Sequence, residues 1–353
     1  MPIERHPTAA PNRTVSAMSQ DFWFLLLPGF SVMGFVSAVE PLRVANRFRG
    51  ELYRWHLMSL DGGPVLASNG MSMNADSGLE ALKPGDTLLL VAGFEPLRAS
   101  TPALLHWLRR LDRAGVILGG IDTGSFVLAE AGLLARQRCT VHWEALEAFR
   151  ETYPQVQATQ ELFEIDGPRI TCAGGTASID LMLDLIAQDH GPALAVQVSE
   201  QFVVSRIRTR QDHQRLQVAS RYGVSNRKLA RVIDEMERHT EPPLSTLELA
   251  EHIRVSRRQL ERLFRLHLQD TPSNFYLGLR LDKARQLLRQ TDMSVLEIGV
   301  ACGFETPSYL SRSYRAKFGV CPSQDRAGLR KVAGSHDVAA KSPSPQPSPE
   351  GRG

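Results

Sequence analysis

Between residues 20 and 190, short apolar runs alternate with segments whose apolar positions recur every three or four residues. The runs at 23–27, 87–91 and 116–121 are short and nearly continuously apolar, and 53–60 is apolar at most positions; all four read as buried strands. Segments 36–48, 103–114, 125–134, 142–152 and 177–188 carry the helical period. This rhythm predicts an α/β fold, with a largely parallel sheet flanked by helices. After Gly191-Pro192, residues 193–206 read as one more helix, followed by a charged stretch over 206–221. From Asn226 to Arg330 the period is helical throughout, which predicts an all-α second domain.

A chain of 353 residues has room for two such domains. The expected layout is a flexible arm at 1–19, an α/β domain at 20–206, a linker at 207–225, a helical domain at 226–330 and a disordered tail at 331–353. The tail ends in KSPSPQPSPEGRG, too rich in Pro and Ser to build a core. No apolar run approaches the roughly 20 residues of a membrane span, and residues 1–19 lack the apolar core of a secretory signal. The four cysteines form no C-x-x-C pair, which argues against a zinc site and fits a reducing, cytoplasmic setting. Neither a cofactor nor a metal is called for. Charge is divided: residues 227–330 hold 18 Lys+Arg against 13 Asp+Glu, and residues 20–226 hold 18 against 22. Only the second half is thus expected to meet a polyanion.

That half contains a repeat. TPSNFYLGLR (271–280) and CPSQDRAGLR (321–330) match at Pro272/Pro322, Ser273/Ser323, Gly278/Gly328, Leu279/Leu329 and Arg280/Arg330. The same spacing of 50 lays Leu260-x-Arg262-x-Phe264 on Leu310-x-Arg312-x-Tyr314. Each copy reads as helix, tight turn, helix. In the first, Leu247, Ala250 and Ile253 stripe a short helix, Arg254-Val255 turns, and Ser256 caps a helix with Leu260, Leu263 and Phe264 inward. In the second, Gly303 permits the turn and Thr306-Pro307 opens the helix. The outward faces offer Arg257, Arg258, Glu261, Arg262 and Arg265 in one copy, and Thr306, Ser308, Ser311, Arg312 and Arg315 in the other. Arginine suits guanine in a major groove and serine suits either base or phosphate, so double-stranded promoter DNA is the expected partner. A single arginine-rich helix face is most often merely solvated, but two at a fixed spacing are not.

The stretches LAEHIRVSRRQLERLFRLHL and GFETPSYLSRSYRAKFGVCPSQDR closely resemble the AraC/XylS family of transcription regulators over about 100 residues. The resemblance implies that Arg258, Glu261 and Arg262 enter one groove, and Ser308, Ser311 and Arg312 the next. Gly299 stands in place of the usual Ala, and Leu310 and Tyr314 where Phe is common. Glu261 either accepts from a cytosine or orients Arg258 or Arg262.

In the first half, VILGGIDTGSFVLAEAGLL (116–134) reads as strand, glycine-flanked turn and helix. Gly120-Ile121-Asp122-Thr123-Gly124 has the shape of a nucleophile elbow, which projects one side chain above a sheet next to a helix N-terminus. His142 and Trp143, in TVHWE, are candidates for the same pocket, with Gly93 and Phe94. The plainer reading of His142 is a histidine that packs beside Trp143. LLLPGFS (25–31), EPLRVANRF (40–48), the elbow, TVHW (140–143) and CAGGTASIDLMLDLI (172–186) together resemble the PfpI-like branch of the class I glutamine amidotransferase-like superfamily, specifically the members fused to AraC-type domains.

In hydrolytic members the elbow residue is Cys; here it is Asp122, and Gly34 stands where those enzymes carry the acidic partner. Without a thiolate the pocket reads as a binding site kept after its chemistry was lost. The other reading makes Asp122 the nucleophile of a hydrolase that the helical domain tethers to DNA. Thr123, Gly124 and Gly93 offer N–H groups for a carboxylate. Asp122 suits a cation, with Trp143, Phe30 or Phe94 as π faces. Such a pocket suits a zwitterion, and the resemblance points to the branch that senses arginine, glycine betaine and carnitine. It also implies a homodimer, made through the first domain, that activates transcription with RNA polymerase. Glu40 and Arg43 are placed to reach either the pocket or a dimer interface.

Overall fold

A computed structural model describes residues 19–204 and 206–327. The chain divides into two compact units, residues 1–223 and 224–353. All but the last residue of the arm, the tail at 331–353, and Gly328, Leu329 and Arg330 of the repeat lie outside the described residues.

The first unit runs β1 (Gln20–Leu26), α1 (Val32–Arg49), β2 (Tyr53–Met58), β3 (Val65–Leu66), β4 (Ser72–Met73), β5 (Thr87–Val91), α2 (Pro102–Arg113), β6 (Ile117–Ile121) and α3 (Gly124–Glu130). It continues with β7 (Arg138–Thr140), α4 (Leu146–Thr152), β8 (Gln157–Thr159), β9 (Phe163–Asp166), β10 (Arg169–Cys172), α5 (Ala177–His190), α6 (Pro192–Glu200) and α7 (Val218–Arg221). The main sheet has the order β2-β1-β5-β6-β10-β9. Its strands are parallel except β9, which pairs antiparallel with β10. Phe22, Phe24, Leu26, Leu89 and Val91 join α1, α5 and α6 in one core. The alternate residues Leu25, Leu88 and Leu90 are fully buried too. Burial on both faces explains the unbroken apolar runs.

The sequence pattern missed three pairs of short strands, β3/β4, β7/β8 and β9/β10. The last escaped because Glu164 breaks its apolar pattern. That glutamate is 1 % exposed and ion-paired with Arg138 at 2.7 Å. The helix expected over 142–152 begins only at Leu146, because the His142 N–H is drawn to the Asp122 carbonyl at 3.2 Å. The helix expected over 193–206 ends at Glu200.

The second unit is helical: α8 (Arg227–Arg238), α9 (Thr246–His252), α10 (Arg257–Leu268), α11 (Pro272–Gln290), α12 (Val295–Ala301) and α13 (Pro307–Phe318). Ser245, Ser256 and Ser294 close capping boxes with Glu248, Gln259 and Glu297, which stabilise the first turns of helices that are too short to persist alone. The pairs α9–α10 and α12–α13 are the two repeats. Leu260 and Phe264 are fully buried in the first, Leu310 and Tyr314 in the second. Tyr314 replaces Phe without orphaning its hydroxyl, which donates to Asp325 at 2.7 Å. Leu247, expected on the inner stripe, is 59 % exposed; Leu249, Ala250 and Ile253 fill that role. The second turn is one residue longer than the first. Both turns enter the left-handed region, at Arg254 (φ 55°) and Gly303 (φ 67°).

Candidate functional site

Strand β6 ends at Ile121 and α3 begins at Gly124, so Asp122 sits on the two-residue turn between them, at φ 63°. A non-glycine residue in the left-handed region is strained and must be held there. The hold is visible: the Asp122 N–H donates to the Cys172 carbonyl at 3.0 Å, and its own carbonyl accepts from His142. Two glycines make room. A Cβ on Gly124 would collide with the Leu90 carbonyl, and one on Gly174 would lie 2.9 Å from Asp122 Cβ.

The Asp122 carboxyl is pushed up to about 7. Desolvation is the main cause, the Ser31 hydroxyl hydrogen bond opposes it, and Glu144 adds repulsion. Ser31 also caps α1, accepting from the Gly34 N–H at 3.2 Å. Gly34 lies against the elbow, since a Cβ there would stand 3.1 Å from Ile121 Cγ2 and 3.6 Å from the Gly175 nitrogen. The position at which the resemblance expects an acidic partner thus has no side chain to offer. The elbow carboxyl therefore has a hydroxyl donor beside it and a second carboxylate nearby. Cys139 and Cys172 are fully buried, and desolvation pushes each thiol up to about 12, so both are inert packing residues.

Of the expected pocket residues, His142 and Trp143 are half-buried and adjacent, with ring centroids 5.5 Å apart. Burial lowers the His142 pKa, against the pull of Glu144, and keeps the ring neutral near pH 7. Phe94 is 59 % exposed. The Thr123 hydroxyl donates to the Gly93 carbonyl, which braces the elbow. Gly124 is buried against β5. One other expectation, that for Phe30, needs correction. Phe30 is fully buried beside Phe35 and offers no open ring face. Glu40 and Arg43 pair with each other at 2.8 Å on the exposed side of α1.

Sequence reasoning missed Ser31 and the stretch after Arg206. The first carried a signal, a serine just before an apolar helical period. The second was read as a linker, yet it lies against the α/β unit. Arg208 grips Asp180 at 2.6 Å, the Gln214 amide donates to the Val141 carbonyl at 3.0 Å, and the Arg215 guanidinium lies 4.3 Å from the centre of the Trp143 ring.

In the helical unit, Arg258, Glu261, Arg262 and Arg265 fall three and four residues apart along α10, and Ser308, Ser311, Arg312 and Arg315 do the same along α13. Each set forms one face of its helix. Arg258, Arg262, Ser308, Arg312 and Arg315 are exposed, and Ser311 is half-buried. Glu261 pairs with Arg257 at 3.0 Å, not with Arg258 or Arg262. Thr306 is the cap of α13, its hydroxyl accepting from the Tyr309 N–H at 3.2 Å.

Comparison with known proteins agrees with both halves. Residues 22–188 match the DJ-1/PfpI family and residues 249–328 a helix-turn-helix domain. The HTH-type transcriptional regulator CdhR of Pseudomonas aeruginosa is 80 % identical over 312 residues, covering 88 % of this chain and 93 % of that one. The HTH-type transcriptional regulator GbdR of the same species is 44 % identical over 310 residues, covering 88 % and 84 %. A solved AraC-family transcriptional regulator from Pseudomonas putida is 31 % identical with a TM-score of 0.48, covering 52 % of this chain and 99 % of that one. Among the described residues, no helix is long and apolar enough to cross a membrane. The chain belongs to the AraC family of helix-turn-helix transcriptional regulators, in the group that carries a DJ-1/PfpI domain ahead of the DNA-binding domain.

Proposed function

We propose that the protein is a cytoplasmic, ligand-responsive activator of small-amine or amino-acid catabolic genes, and that its α/β domain senses a zwitterion without catalysing a reaction. The observation that carries this reading is Asp122. A carboxyl held on a strained elbow, at a pKa of about 7, is ready to ionise when a cation arrives. Glycine betaine, carnitine and arginine all pair a cation with a carboxylate. Asp122 would face the cation, with Trp143 and Phe94 supplying aromatic faces. The absence of a side chain at Gly34 and the buried state of both nearby thiols favour a sensor over a hydrolase.

The domain at 20–206 then binds the effector and forms the homodimer, while α10 and α13 read successive major grooves. Arg258, Glu261, Arg262, Ser308, Ser311 and Arg312 are the base-reading candidates, and Arg257, Arg315 and Thr306 bind nearer the phosphates. Effector binding shifts the population of dimers competent to engage RNA polymerase. A promoter-fragment binding assay with in vitro transcription tests this. The expected result is effector-dependent transcription and affinity that falls steeply with salt. Transcription that ignores every zwitterion offered, or DNA binding unaffected by Arg312→Ala and Arg262→Ala together, would overturn it.

A further inference from the structure

Helix α11 runs between the two helix-turn-helix repeats and packs against both. Toward the first, its Phe275 ring lies 5.5 Å from that of Phe264, the buried aromatic of α10. Toward the second, the Gly278 carbonyl accepts from Lys317 Nζ of α13 at 2.7 Å, and Asp282 pairs with the same amine at 2.7 Å. Lys317 is exposed, so this hold on α13 is weak.

A tighter hold lies at the turn of the second repeat. Arg280 of α11 is half-buried. Its Nε donates to the Cys302 carbonyl at 2.7 Å, its Nη2 donates to the Gly303 carbonyl, and the guanidinium lies 4.4 Å from the centre of the Phe304 ring. Cys302 is where α12 ends, so the arginine meets carbonyls at the negative end of that helix. The same turn is pressed from another side. A Cβ on Gly303 would stand 2.6 Å from the Thr240 carbonyl oxygen and 2.7 Å from Pro243 Cδ. Thr240 and Pro243 belong to the loop at 239–244 that leads into the first repeat, and α11 holds this loop too. The Tyr276 hydroxyl donates to the His239 carbonyl and accepts from the Leu244 N–H at 3.2 Å, and Lys283 Nζ donates to Thr240 Oγ1 at 2.8 Å. Tyr276, Arg280 and Lys283 stand four and three residues apart, on one face of α11. The entry to the first repeat, the turn of the second and this face of α11 thus close a ring of contacts. The turn of the first repeat differs, since Arg254 there is exposed.

We propose that Arg280 is a positioning residue for DNA reading. By clamping the second turn between α11 and the loop at 239–244, it fixes the angle at which α13 is presented relative to α10, and with it the spacing of the two base blocks that the protein accepts. The proposal rests on the reading in which α10 and α13 enter successive grooves, and adds the residue that sets their register. The guanidinium is taken up by the carbonyls of the turn, so Arg280 acts through α13. One base pair inserted between the blocks moves the second by about 3.4 Å along the duplex and turns it by about 34°. A clamped α13 cannot follow that move, whereas a loose one can.

The test begins with the full chain selecting sites from a random duplex library. Fluorescence anisotropy then compares the parent, Arg280→Ala and Arg280→Lys on the selected site and on versions with one base pair inserted or removed between the blocks. The parent is expected to select two blocks at one spacing in each half-site and to prefer that spacing about tenfold or more, the loss of one or two base contacts. In Arg280→Ala the preference should drop below about threefold. Arg280→Lys keeps the charge but has one nitrogen for two carbonyls, and should fall between. A role in stability alone lowers the folded fraction and weakens binding at every spacing by the same factor, so the ratio between spacings separates the two roles. A ratio in Arg280→Ala equal to the parent's overturns this proposal alone, and if Arg280→Ala does not fold, an unchanged ratio in Arg280→Lys does the same. A parent chain that selects a single block per half-site, or none, overturns the two-groove reading and this proposal with it.

Discussion

Replacing Asp122 with Asn is expected to stabilise the α/β domain while weakening its ligand site. The carboxyl titrates near 7 in the folded chain, against an ordinary value of 3.8. Between those values the folded state holds a proton that the unfolded state has released, so stability falls as pH rises through the window and stays low above it. A rise from 3.8 to about 7 corresponds to about 4 kcal/mol at full strength, and partial solvent access through the pocket reduces this to about 2–4 kcal/mol. Asn keeps the shape, accepts from Ser31 as Asp does, and tolerates a positive φ, but carries no charge to desolvate. Its advantage over the parent chain should be about 1–2 kcal/mol at pH 5 and grow to about 2–4 kcal/mol at pH 8. Urea unfolding of both proteins at the two pH values, followed on the α/β domain, measures it. A variant no more stable than the parent at pH 8, or an advantage that does not change with pH, would show that burial does not hold the proton on Asp122.

Effector affinity should carry the same signature with the opposite consequence. A quaternary-ammonium ligand needs Asp122 ionised, so its dissociation constant should rise about tenfold from pH 8 to pH 6, and calorimetry on Asp122→Asn should show a flat profile. Arg312→Ala should cost about 1–3 kcal/mol on the operator and little on unrelated DNA if Arg312 reads a base; an equal loss on both, by fluorescence anisotropy, makes it a phosphate contact. Arg254 adopts φ 55° in the first turn where the second has Gly303. Arg254→Gly should therefore raise the helical domain's stability by about 0.5–1 kcal/mol, and a lower thermal midpoint would contradict that.

How far the sequence foretold this structure depended on whether a feature was local. The apolar runs at 87–91 and 116–121 are strands because burial on both faces leaves only apolar residues, a signal that needs no partner. Glycines flanking Asp122 announced the elbow because backbone crowding there admits no side chain. The helix-turn-helix repeats were equally plain, since the Ser256 cap and each apolar stripe lie within a dozen residues. Features fixed by distant partners were hidden. Glu164 is a charge inside the sheet that only its distant partner Arg138 accounts for. Phe30 looked available to a ligand until Phe35 closed over it. The segment after Arg206 read as a connection because its charges suggested solvent, and only the fold brings Asp180 and Trp143 to meet Arg208 and Arg215.

Whether the elbow site reports on a small zwitterion is decided by isothermal titration of the full chain with arginine, glycine betaine, dimethylglycine, carnitine and choline. A sensing pocket gives saturable binding of a panel member that carries both a cation and a carboxylate, weakened in Asp122→Asn, with the ligand recovered unchanged. Binding indifferent to Asp122→Asn, binding of choline as tight as that of its carboxylate-bearing relatives, or conversion of the ligand during the titration would contradict it.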